Sequence, residues 1–180
     1  SAQNNGWLKE MVANGATKIT TYGQFIGNLI ASYPNLMFIL AGDYGSGANS
    51  FTSGEAAVMD AFTSGLTGIT KQSNLYTADP NTDSISTDIA TVTTTKSAIN
   101  VVGGYSFNEG HITQRCRDAY ATGKPAILLE TGYDEEGPDG NNVNPTATQP
   151  VRRYYLWGWL SAIAGWIHGN GFVWTFQSGY

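Results

Sequence analysis

One cysteine, Cys116, stands in 180 residues, so no internal disulfide can staple the chain and the redox compartment stays open. Packed as a small hydrophobe on a helix, that thiol needs no further role. Charge is scarce too. Only 13% of the residues are charged, which leaves Ser, Thr, Asn and Gly to build the polar surface, as in secreted, carbohydrate-facing and virion proteins. Nine Lys and Arg face fourteen Asp and Glu, and the basic residues form no cluster, so a nucleic-acid partner is excluded. No apolar run approaches the roughly 18 residues of a membrane span, and no basic-then-apolar signal segment opens the sequence. A soluble chain is expected, with no membrane partner and with any targeting segment removed or never present.

Several chemistries lack their residues. No HExxH or cysteine cluster is present, and His111 and His168 are too far apart in sequence to define a metal site, so neither metal nor cofactor is expected. His111 suits a helix start. No serine lies in a GxSxG elbow, which removes the acyl-transfer nucleophile. The stretch Gly42 to Gly47 lacks the lysine and spacing of a phosphate loop. Asp79, Asn81 and Asp83 match the opening of a calcium loop, but Ser84 and Ala90 occupy the turn-glycine and bidentate-glutamate positions, so a solvated turn is the better reading. Asp134, Glu135, Glu136 and Asp139 read as a solvated loop face, with cation binding as the other reading.

Hydrophobic patterning is rich by contrast, and 41% apolar residues are enough for a core in one domain over residues 1–180. Trp7, Leu8, Met11 and Val12 mark a short helix closed by Asn14-Gly15. A second helix runs from about Thr17 to Ser32, with Ile19, Tyr22, Ile26 and Ile30 on one stripe and Pro34 beyond. Leu36 to Ala41 is apolar throughout and reads as a buried strand. Thr52 and Glu55 have capping-box spacing ahead of a helix carrying Val58, Met59, Phe62 and Leu66. A weaker strand follows at Asn74 to Ala78, then a Thr-rich stretch, Ser84 to Ser97, without a clear period.

Ala98 to Val102 reads as a strand with Gly103-Gly104-Tyr105 as its exit. Ile112 to Thr122 is a helix stopped by Gly123, with Pro125 beyond. Ala126 to Leu129 is another buried strand, ending in Glu130, and the loop from Gly132 to Pro150 is long enough to suggest function. Val151 to Ala164 is an aromatic-rich helix. Gly165 to His168 and Gly171 to Phe176 supply the last strand and its exit. Strands alternating with helices, with no hairpin signal, imply an α/β fold with a parallel sheet. Two architectures fit: a five-stranded doubly wound, flavodoxin-like sheet, or the later strands of a (β/α)8 barrel, whose whole needs about 250 residues.

Two of the buried strands deliver a carboxylate to their carboxyl ends, Asp43 and Glu130, where α/β proteins place chemistry. A pair of carboxylates is the minimum for glycoside hydrolysis, one as general acid and one as nucleophile or base. The plainer readings are a cap for Asp43 and an ion-pair partner of Arg152 or Arg153 for Glu130. Tyr44, Tyr105, Tyr133, Trp166 and Trp174 near the strand exits could stack on sugar rings or simply fill the core. His168 could face the same site.

Specific residues then carry a resemblance. Tyr22-Gly23-Gln24-Phe25-Ile26-Gly27, Tyr33-Pro34-Asn35-Leu36 and Ile39-Leu40-Ala41-Gly42-Asp43 are similar to the helix and strand patterns of apiosidase-like glycoside hydrolases, a (β/α)8-barrel family. Gly123-Lys124-Pro125 through Glu130-Thr131-Gly132-Tyr133 resembles that family's later strand, and Arg152-Arg153-Tyr154-Tyr155 through Val173-Trp174 resembles its end. Ala41, Asp79, Asp134 and His168 depart from the pattern. The resemblance implies strands four to eight of the barrel, with Asp43 leaving the fourth as acid/base and Glu130 leaving the seventh as nucleophile of a retaining mechanism. Substrate contacts would come from Tyr44, Asp79, Tyr105, Tyr133, His168 and Trp174. It also implies a carbohydrate substrate and a barrel whose first three strands come from a parent protein or a companion chain, and the polar, charge-poor composition adds the expectation of an extracellular, periplasmic, cell-surface or virion setting. The fragment alone is then expected to be inactive. A non-catalytic carbohydrate-binding or structural domain is the competing function.

Overall fold

The computed structural model describes residues 7–43, 50–70, 74–134 and 148–170, with side chains described from Val151 onward in the last stretch. In chain order the elements are α1 (Leu8–Ile30), β1 (Met37–Ile39), α2 (Ser53–Ile69), β2 (Leu75–Thr77), β3 (Ser84–Ile85), a 3-10 turn (Ser86–Asp88), α3 (Thr93–Ala98), β4 (Val102–Tyr105), α4 (Glu109–Ala121), β5 (Ala126–Glu130), α5 (Thr148–Leu160) and β6 (Gly165–Trp166). No helix among the described residues is long and apolar enough to cross a membrane. The chain forms two compact units: residues 1–81 with 86–101, and residues 82–85 with 102–180.

In the first unit, α1 and α2 meet along small residues rather than along a stripe of large ones. A methyl group at Gly23 would lie 2.3 Å from the Phe62 carbonyl oxygen, and one at Gly65 would lie 2.1 Å from that of Thr20. The two backbones touch there, so only glycine fits. Ile19, Gly23 and Gly27 are the buried positions of α1; of the expected stripe Ile19 is buried and Ile26 packs on the core, while Tyr22 stays 50% exposed with its ring 5.7 Å from that of Phe62. Periodicity in large apolar residues misses a face built from glycine. Gly15 adopts φ 77° and breaks α1 where the Asn14-Gly15 signal places a helix end. The capping box of α2 forms as expected, with Glu55 accepting from the Thr52 N–H at 2.8 Å.

β1 and β2 pair in parallel, Phe38 opposite Tyr76, with their rings stacked at 5.2 Å. Leu40, Leu66 and Tyr76 form the buried cluster, with Ile26, Phe38, Phe62 and Ala98 packed on it. The expectation of a β1 buried on both faces is not met, since Ile39 is 49% exposed. Only β2 pairs with β1 among the described residues. Within this unit the N–H groups of Asn100 and Val101 both donate to the Tyr76 carbonyl, so the chain beyond α3 returns along β2.

Residues of the unassigned Thr-rich stretch turn out to form α3, and a carboxylate from α2 organises it. Asp60 accepts from the backbone N–H of Thr93 (3.0 Å) and of Thr95 (2.8 Å), and from both hydroxyls. Burial works to raise the Asp60 pKa, but the bonds from the Thr95, Thr94 and Thr93 amides and the Thr95 hydroxyl outweigh it and hold it below its ordinary value.

In the second unit the strand order is β3-β4-β5-β6. β4, β5 and β6 run parallel, whereas β3 pairs antiparallel to β4, Ser84 opposite Tyr105. The expectation of a purely parallel sheet is corrected by that two-residue edge strand. A second correction concerns β4, which starts at Val102 and includes the glycines expected to follow it. A methyl at Gly103 would sit 2.5 Å from Leu129 Cβ, and one at Gly104 would sit 2.9 Å from the Arg115 backbone of α4. The glycines let β4 lie against β5 and under α4. Asn108 caps α4 by accepting from the Gly110 N–H, so the helix begins three residues before Ile112. His111 lies in its first turn, as expected. Gly123, at φ 75°, ends the segment. Helix α5 stops at Leu160, four residues before the expected end, because the Ala164 N–H already donates to Ala126 of β5. Cys116 is fully buried in α4, and burial pushes its thiol up to about 12, which suits a packing role.

Two stability measurements test these contacts. Gly65→Ala should cost about 3 kcal/mol through overpacking at the α1–α2 crossing, whereas Gly68→Ala, with open space at its Cβ, should gain about 1 kcal/mol by helix propensity. Equal urea midpoints for the two variants would contradict the crossing. Asp60→Asn should cost about 1 to 2 kcal/mol at pH 7, the value of a cap. Because the folded-state pKa lies below the ordinary 3.8, this contribution is present above pH 4 and fades as pH falls further. A cost that persists unchanged at pH 3 would refute the cap.

Candidate active site

Glu130 ends β5, the strand flanked in parallel on both sides by β4 and β6. Between Gly104 and Tyr105 the register slips, so that Tyr105 lies opposite Glu130 rather than Leu129. A bulge of this kind at a strand end re-aims a side chain. The Glu130 carboxylate is half-buried and its Oε1 accepts a hydrogen bond from the Tyr133 hydroxyl. Among the described residues it lacks the ion pair that the plainer reading required: Arg153 pairs instead with Glu109 at 3.4 Å, and Glu109 also accepts from the Tyr154 hydroxyl at 2.5 Å.

The loops leaving β5 and β6 are stitched together. The Asp134 N–H donates to the Gly169 carbonyl at 2.9 Å, and Asp134 forms a parallel bridge with Asn170. A methyl at Gly169 would fall 2.3 Å from Cδ1 of Tyr133, so the Tyr133 ring lies on the bare glycine. His168, exposed beside it, bonds through Nδ1 to the Tyr155 hydroxyl at 2.7 Å, and Tyr155 stacks on Trp166 at 5.1 Å. The Thr131 hydroxyl and Asp134 Oδ1 are buried without a hydrogen-bond partner among the described residues. Tyr105 is 4% exposed and packs edge-on against Phe107, so its ring is not offered to solvent within this unit.

Asp83 precedes β3 and lies near Ser106 beyond β4. It accepts from His111 at 2.8 Å and from the Ser106 hydroxyl at 3.2 Å, with Arg115 at 3.8 Å. The serine bonds the carboxylate and not the imidazole, so this is a brace between β3 and α4 rather than a nucleophilic triad. Asp83 is therefore committed to protein partners and not to the calcium loop weighed above. No group of metal-ligating side chains occurs among the described residues.

Asp43 lies in the first unit, exposed just beyond β1 with φ 52°, a left-handed conformation that Asp tolerates better than most residues. Parallel pairing continues past the strands: the Leu40 N–H donates to Thr77 and the Asp79 N–H to Ala41, at 2.8 and 2.7 Å. Asp43 and Asp79 thus leave neighbouring strands at the same end. Tyr44 and Trp174 lie outside the described residues, as do Glu135, Glu136, Asp139 and the stretch Gly171 to Phe176.

Residues 1–179 match the family described as the apiosidase-like catalytic domain. The chain belongs to the apiosidase-like family. A solved structure described as a glycoside hydrolase shares its fold with a TM-score of 0.69 at 19% identity, over 92% of this chain and 40% of the other. The apiosidase-like chain therefore spans less than half the length of that hydrolase. None of the curated proteins matches it. Gly169 and the pairing of Tyr133 with Glu130 are what sequence reading missed. The only signal for the latter is a tyrosine three residues after the glutamate.

Burial pushes the Tyr155 phenol up to about 12, with the Asp134 charge adding to it against an opposing bond from the Gly169 amide. Because this lies above the ordinary value of 10.0, the neutral phenol's contribution is complete below pH 10 and lost as pH rises toward 12. Tyr155→Phe should flatten the fall in unfolding free energy across that window, and an unchanged slope would place the phenol in solvent.

Proposed function

We propose that this apiosidase-like chain supplies strands four to eight of a (β/α)8 barrel and that the protein is a retaining O-glycosidase acting on a polysaccharide or other glycan. The observation that carries the proposal is Glu130: a carboxylate at the carboxyl end of β5, oriented by Tyr133, in a chain of a glycoside hydrolase family. In this reading β1, β2, β4, β5 and β6 are the barrel strands, and β3 belongs to the connection after β2. Sequential neighbours pair within each sheet, which supports barrel order. Residues 1–180 would then be one incomplete domain. Its first three strands come from the parent protein or a companion chain, and exposed Phe25 and Leu29 on α1 are apolar positions they would cover.

Glu130 attacks the anomeric carbon while protonated Asp43 gives its proton to the leaving oxygen as the glycosidic bond breaks. Water then attacks the same carbon, Asp43 takes its proton, and the bond to Glu130 breaks to release the sugar with its anomeric configuration retained. The buried unpartnered atoms of Thr131 and Asp134 would be satisfied by a polar ligand. Asp79 and His168 are further contact candidates, together with Tyr44 and Trp174. An extracellular, periplasmic or surface location suits such a substrate.

Glu130→Gln and Asp43→Asn in the intact protein should each lower glycan cleavage by about 100-fold or more while binding survives. Retention of configuration, read by proton NMR of the first-formed product, is the accompanying result. Inversion, or full activity in either variant, would sink the assignment. Binding without cleavage by the parent on a broad glycan panel would favour the non-catalytic reading.

A further inference from the structure

We propose that Tyr133 is a positioning residue for the nucleophile: its hydroxyl holds Oε1 of Glu130, so that Oε2 is the oxygen that attacks. The inference rests on the glycosidase reading above and changes the role of Tyr133, which the sequence offered as a sugar contact.

Four observations lead to it. The Tyr133 hydroxyl donates to Oε1, and Oε2 accepts no hydrogen bond from the described residues. The phenol ring is itself placed from outside, because it occupies the volume that a side chain at Gly169 would fill, with Cδ1, Cε1 and Cγ all within 2.7 Å of where a methyl would be. Gly169 is tied to the same loop through its carbonyl, which accepts from the Asp134 N–H, and through the neighbouring bridge of Asp134 with Asn170. Finally, the Phe107 ring stands 6.4 Å from that of Tyr133, tilted against it. The β6 exit loop thus fixes the ring, the ring fixes the hydroxyl, and the hydroxyl fixes one of two otherwise equivalent carboxylate oxygens.

The chemistry of displacement makes such a device useful. A glutamate side chain has three rotatable bonds, and an attacking oxygen must be held close to the line of the breaking bond. A hydrogen bond from a neutral phenol to one oxygen restrains the carboxylate plane without neutralising its charge, as a paired arginine would in part do. The lone pairs of the second oxygen stay available to the anomeric carbon. A phenol whose ring packs on Gly169 and whose hydroxyl is committed to the carboxylate has less to offer a sugar, which separates the two roles.

The test uses the intact protein and the conservative variant Tyr133→Phe, which keeps the ring on Gly169 and removes only the hydroxyl. In protein carrying 13C-labelled glutamate, the Glu130 carboxylate resonance is identified by its loss in Glu130→Gln. At neutral pH that resonance should move in Tyr133→Phe while the other glutamate resonances stay in place; an unmoved Glu130 resonance would overturn the hydrogen bond. With a panel of 4-nitrophenyl glycosides, Tyr133→Phe should lower kcat about 10- to 100-fold and leave KM within about 2-fold. A raised KM at unchanged kcat would make Tyr133 a sugar contact and refute positioning. Full activity in Glu130→Gln, or no turnover by the parent, would instead count against the glycosidase reading, and the resonance measurement would still decide the Tyr133 contact on its own.

Discussion

Close approach at glycine is the constraint on which the structure most depends. In the first unit the backbones of α1 and α2 meet at Gly23 and Gly65, and in the second β4 reaches β5 and α4 at Gly103 and Gly104. At each place a single methyl would lie within 3 Å of a backbone or core atom. Dispersion and burial are strongest where surfaces touch without gaps, so removing side chains brings whole elements into contact. The same device recurs at the site, where Gly169 leaves room for the Tyr133 ring and so decides where a hydroxyl meets Glu130.

Polar side chains do the complementary work of satisfying backbone and carboxylate groups at element ends. Asp60 caps α3 from a neighbouring helix, Asn108 caps α4 from its own start, and Asp83 joins β3 to α4 through His111 and Ser106. These are local solutions to orphaned N–H groups and to carboxylates drawn part-way from water. They explain why a chain with few charges uses several of them in fixed geometries. Those charges bind protein groups, whereas among the described residues Glu130 receives a hydrogen bond on one oxygen only.

The apiosidase-like family and the fold shared with a glycoside hydrolase give this arrangement its chemical setting. Chain spacing alone would not distinguish a catalytic carboxylate from a capping one. Asp60 and Glu130 differ in what surrounds them: the first is consumed by four donors from one helix start, and the second is held by a single phenol at the end of a parallel strand.

By itself the sequence determined the strong local elements: the capping box at Thr52, the break at Gly15, the helix stop at Gly123 and the apolar strand ending in Glu130. Each depends on neighbours within a few positions, and so each is written in a short window. The family resemblance was legible as well, because its motifs are contiguous. Tertiary structure alone decided that Gly103 and Gly104 lie inside a strand, that Tyr22 stays half exposed, that β3 runs antiparallel, and that Tyr133 belongs to Glu130. Those outcomes turn on atoms from Leu129, Arg115, Phe62 and Gly169, which come from other elements or other loops. Packing between distant segments has no period in the sequence, and a glycine that makes room for a partner looks, in one dimension, like a glycine that makes a turn.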